Sequence, residues 1–259
     1  MKKRPIVVGN WKMELSHKAE LELIRALKNM LKGVPIKSEV VVCPSYPSLP
    51  AIAEALKKNS KIAVGAQNVF LEEKGAYTGQ VSVLDIKPFV NWSLVGHSEV
   101  RAAAGVTDDI VVKTAAMLRG HNINPIVCIG ESEEERRSEQ TVTKIRTQVA
   151  SLIEGLDRTS LVQTVIAYEP IWAIGSGQTP DPDDVAQIVL LIRRQLTDRY
   201  DQELAERVRI IYGGSVTPEN AGHYVGGPNA DGLLIGGASL HPQKFMEIIQ
   251  AVDSAFGEA

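Results

Sequence analysis

Only two of the 259 residues are cysteine, too few for a disulfide framework. Cys43 and Cys128 each close an apolar run, where a reduced thiol behaves as a small hydrophobe. Histidine is scarce too. Of His17, His97, His121, His223 and His241, just His97 follows a run of strand character, so a histidine-built metal centre has no support and no metal or cofactor is expected. No window approaches the roughly 18 apolar residues of a membrane helix, so no membrane partner is expected. The basic opening Met1-Lys2-Lys3-Arg4-Pro5 is followed by only Ile6-Val7-Val8 before Asn10 and Lys12, far short of a signal-peptide core. A cytoplasmic protein is expected. The net charge of −3 gives no basic face for nucleic acid, although local positive charge could still serve a small anion.

What is present is an ordinary globular mix, 44% hydrophobic and 23% charged. A chain this long buries most of the surface its unfolded form exposes and needs no staple. Length alone would allow two domains, but one repeating unit fills the chain and argues for a single domain, residues 1–259. Short runs rich in Val and Ile recur at Ile6–Gly9, Val40–Cys43, Ile62–Ala66, Trp92–Gly96, Ile126–Ile129, Val165–Tyr168, Val208–Tyr212 and Gly232–Ile235. Continuous hydrophobicity suits strands covered on both faces, as in parallel sheets. Between them lie segments of helical period: Lys18–Leu31, Ser48–Asn59, Asp108–Gly120, Glu133–Ile153, Asp183–Arg199 and Pro242–Phe256, with shorter ones near Ser82–Phe89 and Pro218–Tyr224. The starts Asp181-Pro182-Asp183-Asp184 and Thr217-Pro218-Glu219 carry capping residues, a proline and acids. Eight strand–helix pairs fit a closed parallel barrel or a doubly wound sheet, and the pair count favours the α/β barrel, (β/α)8.

In such a barrel the site is assembled from the loops after the strands. Those loops begin Gly9-Asn10-Trp11-Lys12, Gly96-His97-Ser98-Glu99, Glu169-Pro170-Ile171-Trp172, Gly213-Gly214-Ser215 and Gly236-Gly237-Ala238-Ser239. The last two carry glycine pairs whose backbone can approach an anion and turn N–H groups toward it; either pair alone reads more plainly as a tight turn, but two pairs after strands seven and eight, where barrels often bind phosphate, favour an anion site. His97 alone reads more readily as structural. Glu169 stands between an apolar strand and a proline, where partial burial would raise its pKa toward base chemistry, the alternative being a salt bridge. Ile171, Trp172 and Ile174 followed by Gly175-Ser176-Gly177 read as a lid over a ligand, or as a helical turn packed in place.

Taken in order, Gly9-Asn10-Trp11-Lys12-Met13, Gly96-His97-Ser98-Glu99, Ala167-Tyr168-Glu169-Pro170-Ile171-Trp172-Ala173-Ile174-Gly175, Tyr212-Gly213-Gly214-Ser215-Val216 and Gly232 to Leu240 resemble the motifs of the triosephosphate isomerase family. The resemblance runs from residue 9 to residue 240. It implies a TIM barrel, a homodimer and, without a cofactor, the interconversion of dihydroxyacetone phosphate and D-glyceraldehyde 3-phosphate through an enediolate, in glycolysis and gluconeogenesis. It implies roles as well. Glu169 would be the base and His97 a neutral imidazole polarising the carbonyl, its charge disfavoured at the start of a short helix. Lys12 and Asn10 would face the oxyanion and phosphate, with Glu99 pairing Lys12. Backbone N–H groups of Gly175, Ser215, Gly236 and Gly237 would grip the phosphate, and Ile174 would shield Glu169.

The chain departs from the family at three ionic positions. Ser-Glu-Arg-Arg is here Ser98-Glu99-Val100-Arg101, Gly-Glu is Gly105-Val106, and Thr-Gly-Glu is Thr78-Gly79-Gln80. Ser176 replaces a commoner threonine. A joint loss of charge in a partly buried cluster can be nearly neutral, so the three changes are expected to compensate. Thr78 within Gly75-Ala76-Tyr77-Thr78-Gly79 still matches the loop that reaches into a neighbouring subunit. Other phosphate-gripping barrel enzymes, such as ribulose-phosphate epimerases, would need metal-ligand histidines or paired aspartates. A silent phosphate-binding scaffold would lack the base or the electrophile.

Overall fold

A run of consecutive apolar residues makes a strand that is oily on both faces, and both faces are covered here. Successive side chains alternate across a strand. Ile6 and Val8 accordingly join Val41, Cys43, Trp92, Leu94 and Ile126 in an inner cluster, while Val7, Val40, Val42 and Val127 belong to the larger cluster that packs against the helices. The computed structural model describes residues 3–57 and 60–256. Its strands are β1 (Ile6–Asn10), β2 (Glu39–Cys43), β3 (Ile62–Ala66), β4 (Trp92–Val95), β5 (Asn124–Ile129), β6 (Val165–Tyr168), β7 (Arg209–Gly213) and β8 (Gly232–Ile235). They pair in parallel in chain order, and β8 returns to β1, closing the barrel.

Helices wrap the outside: α1 (His17–Met30), α2 (Leu49–Leu56), α3 (Val83–Ile86), α4 (Ser98–Ala104), α5 (Asp108–Gly120), α6 (Glu133–Arg137), α7 (Thr141–Gly155), α8 (Arg158–Gln163), α9 (Pro182–Arg199), α10 (Gln202–Arg207) and α11 (Pro242–Ala255). Asp181 caps α9 by accepting the N–H of Asp183 at 2.9 Å, with Pro182 in the first turn.

Several expected helices are altered. The segment Glu133–Ile153 is two helices, not one, because Glu139 adopts φ 58° and breaks the hydrogen-bond ladder between α6 and α7. Ser132 opens α6 with a reciprocal capping box to Glu135. Ser48–Asn59 contracts to a 3-10 turn, Tyr46–Ser48, followed by α2; Lys58 and Asn59 lie outside the described residues. Pro218–Tyr224 reduces to a 3-10 turn at Ala221–Tyr224, and Ser82–Phe89 to α3. The expected strand Val208–Tyr212 is shifted by one residue in β7.

Candidate active site

The alternation that fills the barrel also sets its C-terminal rim. On β1, Ile6 and Val8 point inward, so Asn10 is next in phase. On β6, Val165 and Ala167 point inward, and Glu169 follows them. Asn10 and Glu169 are 5% and 4% exposed, polar groups held at the mouth of an apolar barrel. Glycines make the space around Glu169. A Cβ at Gly130 would lie 1.8 Å from the Glu169 carbonyl oxygen, and one at Gly213 would lie 2.8 Å from Glu169 Cγ.

His97 reaches the same place by a turn. Gly96 takes φ 68°, and a Cβ there would lie 2.5 Å from Val111, so the chain turns where only glycine fits. His97 then serves as the N-cap of α4, and its Nδ1 accepts the backbone N–H of Glu99 at 3.3 Å. A ring nitrogen that accepts carries no proton, which puts the imidazole hydrogen on Nε2. Nε2 stands 3.3 Å from Glu169 Oε1. Burial works against a charge on His97, but the carboxylates of Glu169 and Glu99 outweigh it and raise its pKa above the usual 6.5. This balance opposes the neutral imidazole expected from the sequence, whereas the Glu99 N–H favours it, because an imidazolium could not accept that bond.

Lys12 is held in a strained backbone, φ 51°, rare for a residue with a Cβ. Its N–H goes to Asn10 Oδ1 at 3.1 Å, and its carbonyl accepts Gln67 Nε2 at 2.7 Å. Its ammonium pairs with Glu99 Oε1 at 2.5 Å. Because Asn10 Oδ1 is engaged, the Asn10 amide nitrogen is the group available to donate.

One cavity of about 310 Å³ is lined by Asn10, Lys12, His97, Glu169, Gly175, Ser215, Gly236 and Gly237, so all eight residues singled out in the sequence meet there. Glu99 lies off it and is paired with Lys12. Gly237 opens a short 3-10 turn, Gly237–Leu240, beside Ser215, whose hydroxyl donates to the Ala173 carbonyl at 2.8 Å. Ile174, Gly175 and Gly177 overhang the cavity from the β6–α9 loop.

Other contributors were passed over in the sequence. Cys128, read only as a core thiol, stands against Glu169; burial, with that carboxylate beside it, pushes its pKa well above the ordinary value. Glu131, 1% exposed, accepts Trp172 Nε1 at 2.9 Å and Tyr168 Oη at 3.3 Å, and so ties the root of the overhanging loop to the end of β5. The guanidinium of Arg136 lies 3.6 Å from the Trp172 ring centroid. Among the described residues, no group of three or more His, Cys, Asp or Glu side chains is arranged to hold a metal ion.

Residues 5–252 match the family model described as triosephosphate isomerase. The chain is 39% identical over 248 residues to a triosephosphate isomerase of Caldanaerobacter subterraneus subsp. tengcongensis, covering 95% of this chain and 99% of that one. A triosephosphate isomerase of Dictyoglomus turgidum is 38% identical over 250 residues, 96% and 100% of the two chains. One of Clostridium perfringens is 39% identical over 246 residues, 95% and 98% of the two chains.

Proposed function

The chain belongs to the triosephosphate isomerase family, and from that premise we propose that Glu169, His97, Lys12 and Asn10 carry the reaction in the cavity they line. The enzyme is an isomerase that interconverts dihydroxyacetone phosphate and D-glyceraldehyde 3-phosphate, a step of glycolysis. Its reaction moves one proton between adjacent carbons while the neighbouring oxygen changes from carbonyl to hydroxyl. Glu169 removes the proton and returns it to the next carbon. His97 Nε2–H faces the substrate oxygens and stabilises the enediolate, and Lys12 with the Asn10 amide supplies further charge and donors. The observation that carries this reading is the 3.3 Å approach of His97 Nε2 to Glu169 Oε1 at the end of a cavity whose other end is glycine backbone.

The raised pKa of His97 fits the same sequence of events. The pull toward imidazolium comes chiefly from the Glu169 carboxylate. Once Glu169 holds the carbon's proton it is uncharged, and that pull ends while the enediolate exists. The phosphate is gripped by N–H groups of Gly175, Ser215, Gly236 and Gly237. Closing Gly175 over it, with Ile174 beside Glu169, excludes the water that would favour phosphate loss.

A homodimer is the assembly we infer. Its support is that Met13, next to Lys12, is 95% exposed and lines a second cavity on the other side of Lys12 together with Phe70, Gln80 and Val100. No helix among the described residues is long and apolar enough to cross a membrane. A cytoplasmic location is supported by the two buried, unpaired cysteines, and a single domain, residues 1–259, by the barrel that closes from β1 to β8.

A coupled assay following glyceraldehyde 3-phosphate isomerisation tests the assignment. Glu169→Gln is expected to lower kcat by three or more orders of magnitude, about 4 kcal/mol or more of transition-state stabilisation, with unchanged circular dichroism. Near-parental turnover in that variant would remove Glu169 from the mechanism.

A further inference from the structure

A second, much smaller cavity touches Glu169 from behind. It is a crevice of about 10 Å³ among the ends of β4, β5 and β6, lined by Ser98, Cys128, Gly130, Gln148 and Ile171 as well as Glu169, and by Arg101, whose guanidinium is bonded to the Gly96 and Cys128 carbonyls and to Asp108. That is close to the least space that admits one water molecule. Glu169 is the one residue that lines both this crevice and the substrate cavity, so its side chain is the wall between them. The two carboxyl oxygens differ accordingly. Oε1 approaches His97, whereas Oε2 is fully buried with no nitrogen or oxygen donor on it, the weak thiol donor of Cys128 being the protein group beside this carboxyl. Buried carboxylate oxygens are seldom left bare, and where protein supplies no donor an ordered water does.

Gln148 offers the other half of such a site. It is 4% exposed, and its Oε1 accepts the backbone N–H of Gly130 at 2.9 Å. That bond fixes which way the amide lies and leaves the –NH2 as a donor. The crevice therefore combines an unsatisfied acceptor, an oriented amide and room for one small molecule that both donates and accepts.

We propose that this crevice binds a single water, held between Glu169 Oε2 and the Gln148 amide, and that this water exchanges the proton Glu169 takes from the substrate. The inference rests on Glu169 being the base. After abstraction Glu169 carries the substrate hydrogen as an O–H, and a half-turn of the carboxyl group brings it to the Oε2 position. There the carboxyl gives its hydrogen to the water and takes one of the water's own. One O–H bond breaks and one forms on each partner, with no net change of charge. Because Glu169 itself separates the crevice from the reacting carbons, exchange with solvent needs no water beside the enediolate.

The test is isomerisation of unlabelled glyceraldehyde 3-phosphate in D2O, scoring by proton NMR whether the transferred position of the product retains hydrogen or has gained deuterium. Gln148→Leu and Gln148→Met keep apolar bulk and remove the donor, together with the acceptor that the Gly130 N–H uses. Both are expected to raise the hydrogen-retaining share of product about threefold or more, while kcat/KM stays within about fivefold of the parent. A merely structural role for Gln148 would lower kcat/KM and leave the ratio of retained to exchanged product alone. An unchanged ratio in these variants overturns the proposal. If neither variant folds, an atomic-resolution crystal structure of the parent decides: a water within hydrogen-bond distance of Oε2 supports the site, and a dry crevice overturns it. Near-parental turnover by Glu169→Gln would instead sink the assignment of Glu169 as the base, so the two failures are distinguishable.

Discussion

Glu169 is poised by neighbours that have no side chain, and two of them reach it in different ways. A methyl at Gly213 would press on Glu169 Cγ, the middle of a side chain that can turn aside, whereas one at Gly130 would strike the backbone carbonyl of Glu169 at 1.8 Å. Gly213→Ala is therefore expected to leave the fold intact and displace the proposed base, lowering kcat by about 10²-fold, the scale of a roughly 1 Å misplacement. Gly130→Ala should instead destabilise the protein by about 3 kcal/mol or more, because two backbones must separate. Parallel measurements of kcat and chemical unfolding on both variants check the contrast, and equal behaviour would refute it. Strain at Lys12 belongs to the same scale: a backbone at φ 51° costs about 1–3 kcal/mol, opposed here by the Asn10 and Gln67 hydrogen bonds. The polar rim residues were legible because they interrupt apolar runs. Gly130, Cys128 and Gln67 were not, since their importance lies in which way a strand's next side chain points. Strand parity would have found Gly130, two residues past the inward Cys128. No local pattern marks Gln67, which acts on Lys12 from a different strand's end.

The β6–α9 loop is fixed at both ends and open in the middle. Trp172 is bonded to Glu131 and stacked under Arg136, Ala173 is bonded to Ser215, and Pro180 accepts Tyr224 Oη at 2.9 Å. Between them Gly175, Ser176, Gly177, Gln178 and Thr179 are exposed, and Gly175 and Gly177 take positive φ. Glu131 at the root is buried as a charge, and burial raises its pKa above the usual 4.5 despite the donors on Oε1. The sign follows. A raised carboxyl pKa favours the protonated folded form, so the stability linked to it is present below pH 4.5 and is lost as pH rises through the folded value. Glu131→Gln keeps an acceptor for Trp172 and does not titrate. Relative to the parent, its stability is expected to improve between pH 4 and pH 7, measured by denaturant unfolding at both; a pH-independent difference would contradict the burial of charge there. At this scale the sequence was read well where one period ran unbroken, as in Asp108–Gly120, which matches α5 residue for residue. It was misread where a single residue interrupts a period, as at Glu139. The short helices α8 and α10 went unseen although Asp157 and Asp201 cap them, because each follows closely on another helix.

Across the whole molecule the open matter is how charge was lost at one face. Gln80 and Val100 line the same cavity of about 330 Å³ beside Lys12, whereas Val106 is not among its lining residues and packs against the main hydrophobic core. Of the three positions expected to compensate one another, two therefore share a cavity and the third lies in packing. The carboxylate that lines this cavity, Glu99, is already bonded to Lys12. An arginine restored at position 100 would find an amide at Gln80 and would compete for Glu99 against Lys12. In the homodimer we infer, where a second subunit covers this face, it would be a buried charge without its own partner, a cost of about 3 kcal/mol. Val100→Arg is therefore expected to lower the thermal midpoint by about 6–12 °C, at roughly 2–4 °C per kcal/mol for a chain of this size, and to shift the protein toward monomer. Its kcat/KM should fall as well, since the Lys12 ammonium, proposed to face the substrate, loses its tether to Glu99. Differential scanning calorimetry with light scattering reads the first two effects and the coupled assay the third. Adding Gln80→Glu should recover most of the loss, because the pair then satisfies itself, and a double variant no better than Val100→Arg alone would show that the two positions do not meet across the assembled face.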